Sequence, residues 1–474
     1  MTAPSWVQDA VFYQIFPDRF CNGDPANDPP DVQPWRAEPT RAGFKGGDLV
    51  GVRSRLDYLR SLGVSALYLN PIFQAASNHR YDTTDYRLID DRVGSLRDFR
   101  DLVKAAHARG MRVIIDGVFN HSGRGFGAFR DVLDRGPGSR YRGWYHIHRF
   151  PLDAFGRGRA HNYEAWWGIR SLPKLNTDHP DVRRYLLETA AMWIAEGADG
   201  WRFDVPNEIA DESFWADVRA TVKAINPEAY LLGEIWTVNP AWVGPTAFDG
   251  LMNYPLRKSL IDLVIGGHPP SQFRADVEHQ VSSYPAEHLR SHYNLVGSHD
   301  TPRVATLARG HRGRLKVLFA LQFCLPGAPA IYYGDEIGMR GGKDPDCRRG
   351  FEWDEARWDS ARSDLLKALV RLRSARAELR RGDVRFLHVD DRAGTLVLVR
   401  TLPGAASLLA VNLSSTPRVL DLDVTPLGWT GRRGLTEGLS GTRRATEGGI
   451  LHLDLPPHDC RVVHDDGPAT SGDV

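Results

Sequence analysis

Eight short apolar runs, rich in β-branched or aromatic residues, recur along the chain with amphipathic stretches between them. They begin at Val11 (VFYQIFP), Ala66 (ALYLNPI), Arg112 (RVIIDGVFN), Gly200 (GWRFDV), Ala229 (AYLLGEIW), Gly250 (GLMNY), Tyr293 (YNLVGSHD) and Ala330 (AIYYGDE). Of the intervening stretches, LRDFRDLVKAAHARG spaces Leu96, Phe99, Leu102, Val103 and Ala106 as one helical face and stops at Gly110. DVRRYLLETAAMWIAEG reads as a second helix, starting after Pro180 and stopping at Gly197. Strands that alternate with helices make a parallel sheet, and eight is the number that closes a (β/α)8 TIM barrel. An open doubly wound sheet is the alternative. The barrel is favoured because polar residues stand at the ends of five separate runs, the distribution that a single active face requires.

Two departures from the alternation mark further units. Residues 122–172, rich in Gly, Arg and aromatics, are too long for an ordinary connection and read as a small domain inserted after strand 3. After Gly382 the texture changes to VRFLHV, TLVLVRT, SLLAVNL, RVLDLDV and ILHLDL, period-two runs split by turn residues. The expected architecture is α/β: a barrel in two parts (1–121 and 173–382), the insertion, a C-terminal antiparallel β-sandwich domain (383–465) and a disordered tail (466–474). A formal charge of +1 leaves no electrostatic footprint for nucleic acid or an acidic membrane, so a neutral substrate fits better. Cys21, Cys324, Cys347 and Cys460 lack the spacing of a zinc site or a disulfide framework. The N-terminus has no signal-like pattern and no run is long enough to span a membrane, so a cytoplasmic protein is expected.

Carboxylates end several runs: Asp116, Asp204, Glu234 and Asp300, accompanied by Asn120, His121, Arg202, Asn207, Glu208, His299 and Arg303. One such Asp is ordinarily a cap or turn residue. Four on one rim repel one another, a cost that marks a functional site. A metal centre using His121 and His299 is one option, but Arg202 beside the acids competes with a cation. Paired carboxylates with an arginine suit glycosidic cleavage, in which one acid stays ionised to attack and another donates a proton. Arg202, two residues before Asp204 on the same strand face, would keep Asp204 ionised, and the apolar neighbours of Glu234 would raise its pKa. Tyr81 and Trp236 read as sugar-stacking residues, whereas for Trp166 and Trp167 stacking and packing stay equally open.

DGVFNH (Asp116–His121), GWRFDVPNE (Gly200–Glu208), GEIW (Gly233–Trp236) and LVGSHDTPR (Leu295–Arg303) resemble the four signature regions of the α-amylase superfamily, in order along the whole chain. LPKLN (Leu172–Asn176) and the VPNE ending resemble the neopullulanase, cyclomaltodextrinase and maltogenic amylase group. The resemblance implies Asp204 as nucleophile, Glu234 as acid/base and Asp300 as the third carboxylate. It also implies that His121, Arg202 and His299 hydrogen-bond the glucose at the cleavage point, with Tyr81 stacked on it and His79 nearby. Asp344 and Arg348 would hold the next glucose, Trp236 would lie on the acceptor side, and Glu208 would influence whether water or a sugar accepts. The expected activity is retaining hydrolysis of α-1,4-glucosidic bonds in cyclodextrins, maltooligosaccharides and related α-glucans, with some α-1,6 cleavage or transfer. An open-cleft α-amylase, a transglycosylase and a non-catalytic binding protein are the alternatives.

Near the N-terminus, Asn22, Asp24, Asn27, Asp28 and Asp48 crowd a short region that suits either a solvated turn or Ca²⁺. The resemblance implies a structural calcium there, with Gly46 lending its carbonyl. Members of the group carry an N-terminal β domain of about a hundred residues or more, whereas this sequence begins almost at its first strand. A monomer, or a dimer not of the type in which N-terminal domains swap, is the expectation that follows.

Overall fold

The computed structural model describes residues 3–431 and 434–465, so the expectation for 466–474 lies outside the described residues. The eight runs form strands β1 (Phe12–Ile15), β2 (Ala66–Leu69), β3 (Arg112–Gly117), β4 (Gly200–Phe203), β5 (Tyr230–Gly233), β6 (Gly250–Leu251), β7 (Tyr293–Leu295) and β8 (Ala328–Tyr332). They are parallel and ordered β6-β5-β4-β3-β2-β1-β8-β7. A single parallel bridge between Met252 and Tyr293 joins the two ends of that order and closes the ring.

Strand period two sorts each run between two cores. Phe12, Ala66, Tyr68, Ile114, Tyr230, Leu232, Tyr293, Leu295, Ala328 and Ala330 fill the barrel interior. Their neighbours Tyr13, Ile15, Leu67, Leu69, Val113, Ile115, Leu231 and Ile331 face the surrounding helices. The lower mouth is plugged by aromatics: Trp6 lies 6.0 Å from Phe12 and 5.9 Å from Tyr230, and Phe12 lies 5.3 Å from Tyr293. With that end sealed, inward positions near the strand C-termini are left for polar groups.

Local chemistry fixes the helix starts. Ser95 and Asp98 form a reciprocal capping box before the helix Leu96–His107. The helix Pro180–Ala195 includes Pro180 as its first residue instead of starting after it, because proline lacks only an N–H that would be unpaired there. A hairpin, Phe73–Ala75 with Thr83–Ile89, follows β2 and carries His79 and Tyr81 in its connection; no run in the sequence pointed to it. Residues 122–172 contain the helix Gly127–Arg135 and isolated bridges such as Ile147 to Tyr163 and Arg159 to Ile169.

Beyond residue 382 lie β9 (Asp383–Asp390), β10 (Thr395–Leu402), β11 (Ala405–Asn412), β12 (Arg418–Asp423), β13 (Leu435–Glu437), β14 (Arg443–Arg444), β15 (Ile450–Leu455) and β16 (Asp459–Asp465). β9, β10, β11, β16, β13 and β14 form one antiparallel sheet, and β12 pairs with β15 in another. Val397, Val399, Leu408 and Val463 from the first meet Leu420, Leu422, Leu451, Leu453 and the buried Trp429 between them. All four cysteines are buried as free thiols. Among the described residues no helix is long and apolar enough to cross a membrane.

Candidate active site

Period-two alternation carries the inward face of each strand up to the C-terminal rim, where polar side chains replace apolar ones. On β1, Phe12 gives way to Gln14; on β2, Ala66 gives way to Tyr68 and then Asn70; on β3, Ile114 gives way to Asp116. Arg202 is fully buried on β4, and Asp204 and Glu234 stand one residue beyond β4 and β5.

Arg202 organises these groups. Its Nη1 donates to Asp116 Oδ1 at 2.9 Å and to Asp204 Oδ1 at 3.1 Å, and its Nη2 forms an ion pair with Glu234 Oε2 at 2.8 Å. Nε reaches Met252 Sδ at 3.3 Å. The arginine therefore serves two candidate catalytic acids, not Asp204 alone as the strand spacing suggested. Glu234 also lacks the apolar surroundings that its sequence neighbours promised. Its carboxylate faces Arg202 and accepts from Val205 N at 3.0 Å and from Trp236 Nε1 at 3.1 Å. Val205 pays a conformational cost for that bond, a β-branched residue held at φ +36°.

Burial raises Asp204, and the carboxylates of Glu234, Asp116 and Asp300 push it further up, against the Arg202 guanidinium. Asp116 is raised by burial against Arg202 and its hydroxyl donors. Asp300 is pushed up to about 7 by burial and by Glu234, against Arg348 and Arg202. The site is thus richer in carboxylates than in countercharge, and burial with mutual repulsion favours the protonated forms of Asp116, Asp204 and Asp300.

Above the acids, Gln14 Nε2 and Asn70 Nδ2 face His299 Nδ1 at 2.9 and 3.2 Å. Both are donors, so Nδ1 accepts and the ring proton sits on Nε2, 2.7 Å from Tyr81 Oη. Tyr81 Oη in turn donates to Asp116 Oδ2 at 2.8 Å, and Tyr68 Oη donates to the same oxygen at 2.6 Å. Burial and the cations Arg348 and Arg202 hold His299 well below the usual histidine range, which keeps this relay neutral. The Tyr81 and His299 rings lie within 3° of parallel. His121, lowered to about 3 by burial, contacts the Tyr81 carbonyl at 3.2 Å.

The remaining expected residues gather around this core. His79 lies beside Tyr81, with ring centroids 5.9 Å apart. Arg348 joins Asp344 at 3.0 Å to Asp300 at 3.4 Å, and its Nε donates to His299 O at 2.8 Å. Trp236 is half exposed and has one face covered by Tyr254, with centroids 3.5 Å apart. Gln14, Tyr68 and Asn70 were not read from the sequence. Polar residues at inward positions of otherwise apolar strands were the signal available for them.

The N-terminal cluster is separate. Gly46 sits at φ +78°, and a Cβ there would lie 2.0 Å from Asp28 Oδ1 and 2.8 Å from Asn22 Nδ2. Asn22 Oδ1 and Asn27 Oδ1 are buried without a hydrogen-bond partner. Burial raises Asp28, and the Asp48 and Asp24 carboxylates add to the rise. Two orphaned amide oxygens and an acid short of countercharge fit a hard cation. Asp48 is otherwise engaged, accepting from Gly23, Asp24 and Gly51 amides at 2.8, 2.9 and 2.6 Å, and Asp24 caps Ala26 N at 3.1 Å. Among the described residues no three His, Cys, Asp or Glu side chains are grouped to hold a metal, so the cluster depends on its amide oxygens.

Residues 14–377, which span every rim residue named above, match the family described as "Alpha amylase, catalytic domain". The chain belongs to the α-amylase family. Among relatives in that family, a cyclomaltodextrinase of Geobacillus thermopakistaniensis (strain MAS1) is 44% identical over 96% of this chain and 77% of its own. Neopullulanase 2 of Thermoactinomyces vulgaris is 42% identical over 98% of this chain and 78% of its own. The solved structure of a cyclic α-maltosyl-(1→6)-maltose hydrolase from Arthrobacter globiformis, in complex with that sugar, is 36% identical. It superposes with a TM-score of 0.89 over 98% of this chain and 100% of its own.

Proposed function

We propose that this α-amylase family member hydrolyses α-1,4-glucosidic bonds of cyclodextrins, maltooligosaccharides and related small α-glucans, with retention at the anomeric carbon. The observation that carries this reading is one buried guanidinium holding Asp204 and Glu234 on adjacent nitrogens, 3.1 and 2.8 Å away, which keeps the two carboxylates close together. Retention is what the resemblance to the α-amylase superfamily implies: one acid forms a covalent intermediate, and water attacks only afterwards. Asp204 attacks the anomeric carbon while Glu234 gives its proton to the leaving oxygen; Glu234 then takes a proton from the water that releases the glucose. Asp300, His121 and His299 bind hydroxyls of the same glucose, Tyr81 stacks on it, and the Asp344–Arg348 pair, with His79, holds the next one. Similarity to the whole Arthrobacter globiformis chain supports some α-1,6 cleavage in small cyclic sugars.

Time courses with β-cyclodextrin, soluble starch and pullulan in parallel test the reading, with NMR of the first products. β-Cyclodextrin opens faster than starch is attacked, and the new reducing ends are α. Preference for starch would instead identify an open-cleft α-amylase, and β products would overturn retention.

A structural Ca²⁺ is proposed for the N-terminal cluster, held by Asn22, Asn27, Asp28 and the Gly46 carbonyl, with Asp24 and Asp48 completing the negative setting. It would supply the countercharge that Asp28 lacks. Calcium at a hundred times its Kd should stabilise the fold by about 2.7 kcal/mol, read as a rise in Tm after EDTA treatment and re-addition. Asp28→Asn should abolish that rise.

A further inference from the structure

Glu234 has to hand a proton to the leaving oxygen, yet three groups crowd its carboxylate as donors. Oε2 takes the Val205 amide at 3.0 Å and the Arg202 guanidinium at 2.8 Å, and Oε1 takes the Trp236 indole N–H at 3.1 Å. An ionised carboxylate only accepts. A protonated one carries an O–H that needs an acceptor, and an indole N–H cannot be that acceptor. The arrangement is therefore that of the ionised form, which suits taking a proton from water and not giving one to a leaving group.

The two oxygens differ in how firmly they are held. Arg202 is fully buried and also bound to Asp116 and Asp204, and the Val205 donor belongs to the backbone, so Oε2 is committed. Oε1 is the oxygen left to carry a transferable proton. Its donor is the freest of the three: Trp236 is 50% exposed and rests one face on Tyr254, with the rings within 9° of parallel. A stacked ring can shift in its own plane without losing that support. The Tyr254 hydroxyl lies 3.3 Å from Ser298 Oγ, which anchors the lower ring. A glycosidic oxygen that is to receive the proton must approach Oε1, where the indole N–H already sits, so an arriving sugar and the indole compete for one atom. The charged and titratable groups that face Glu234 are Arg202 and Asp204 from β4, Tyr254 beyond β6 and Asp300 beyond β7.

We propose that the Trp236 indole is a switch on Glu234, holding Oε1 ionised while the leaving-group side is empty and yielding it to the glycosidic oxygen of a bound sugar. This rests on the roles proposed above for Asp204 and Glu234. Trp236 acts through Glu234 and is a positioning residue. With sugar bound, the Oε1 proton passes to the glycosidic oxygen as its bond to the anomeric carbon breaks and Asp204 attacks that carbon. The indole returns to the carboxylate when the leaving sugar departs, until the attacking water gives Oε1 its proton back.

Rate profiles against pH on maltohexaose, a sugar long enough to span the cleavage point, separate the two states. The profile of kcat/KM reports groups of the free enzyme, and that of kcat reports groups of the complex. In the parent protein the alkaline limb of kcat/KM should lie below that of kcat by about half a pH unit or more. Trp236→Phe keeps the ring on Tyr254 and removes the N–H. Losing a donor that favours the ionised form keeps the proton on to higher pH, so the kcat/KM limb should rise to meet the kcat limb, which stays in place. A merely structural role would alter KM or kcat and leave both limbs where they were. A second readout needs no turnover. In Asp204→Asn protein the Trp236 indole proton resonance, assigned by its loss when Trp236→Phe is added, should move upfield as bound maltohexaose releases the hydrogen bond. Limbs that coincide in the parent, limbs that move together or not at all in Trp236→Phe, or an indole resonance unmoved by bound sugar would each overturn the switch. Failure of the parent protein to bind or cleave any maltooligosaccharide would overturn the underlying activity instead.

Discussion

Asp204 and Glu234 are bound to the same arginine, and neither has a substitute acid with the same position. Asp204→Asn should remove the nucleophile and Glu234→Gln the proton donor, each lowering kcat on β-cyclodextrin by roughly three orders of magnitude or more. Circular dichroism melts should show both variants folded; near-normal turnover in either would reassign the roles. Glu336 is a buried acid with no part in that chemistry. Tyr13 and Tyr58 both donate to its Oε1 at 2.7 Å, and burial pushes it up to about 7. Because the folded state holds this proton more tightly than the unfolded chain, the associated stability is complete below about 4.5 and is lost as pH rises through about 7. Glu336→Gln keeps the acceptor and removes the ionisation. Relative to the parent protein, it should gain on the order of 2 to 3 kcal/mol between pH 4.5 and pH 8, measured by urea denaturation. An unchanged difference would place the proton elsewhere. The residue types at this scale were legible at the strand ends, since Asp116, Asp204, Glu234 and Asp300 interrupt apolar runs. Which groups Arg202 touches was not, because its reach to the neighbouring strands depends on side-chain direction and barrel curvature.

The strands were legible as elements because a barrel strand is buried on both faces and so reads as a continuous apolar run. The hairpin Phe73–Ala75 with Thr83–Ile89 was missed because its pattern is half polar and its register shifts twice. β16 was missed behind Pro456 and Pro457, although it pairs with β11 near the centre of its sheet. The loop after β8 shows how one buried side chain shapes a binding element. Arg303 donates to Tyr333 O at 2.7 Å and Cys347 O at 3.0 Å and pairs with Asp335 at 3.0 Å, which fixes the segment carrying Asp344 and Arg348. Arg303→Met leaves Asp335 buried and unpaired, and should cost about 3 to 5 kcal/mol. Steady-state kinetics should then show KM rising by more than kcat falls, because the proposed role of the loop is to bind sugar and not to do chemistry. A lower kcat at unchanged KM would contradict that division.

Between the barrel and the C-terminal sheets, ion pairs such as Arg376 to Asp465 at 2.9 Å and Arg290 to Asp383 at 3.0 Å stand beside arginines that serve only carbonyls. The helix Arg312–Cys324 ends with carbonyls that need donors, and Arg373 Nη1 reaches Phe323 O at 3.2 Å while Arg400 Nη1 reaches Cys324 O at 2.7 Å. Arg400 lies on β10 and also donates to Gly382 O at 2.7 Å, so the two units share their polar groups. Neither unit can part from the other without stranding buried donors, and differential scanning calorimetry should record one unfolding transition. Two resolved peaks would mean that the sheets fold alone. The sequence showed where one texture ends and the next begins, but a guanidinium serving carbonyls leaves no pattern in it. The closing bridge of the barrel, Met252 to Tyr293, adjoins the sulfur that Arg202 Nε touches at 3.3 Å. The narrowest join in the ring and the centre of the chemistry therefore share a neighbour. Directed evolution for heat tolerance has little freedom at this seam: substitutions that tighten it also shift the arginine that holds Asp204 and Glu234, so durable gains have to come from the outer helices.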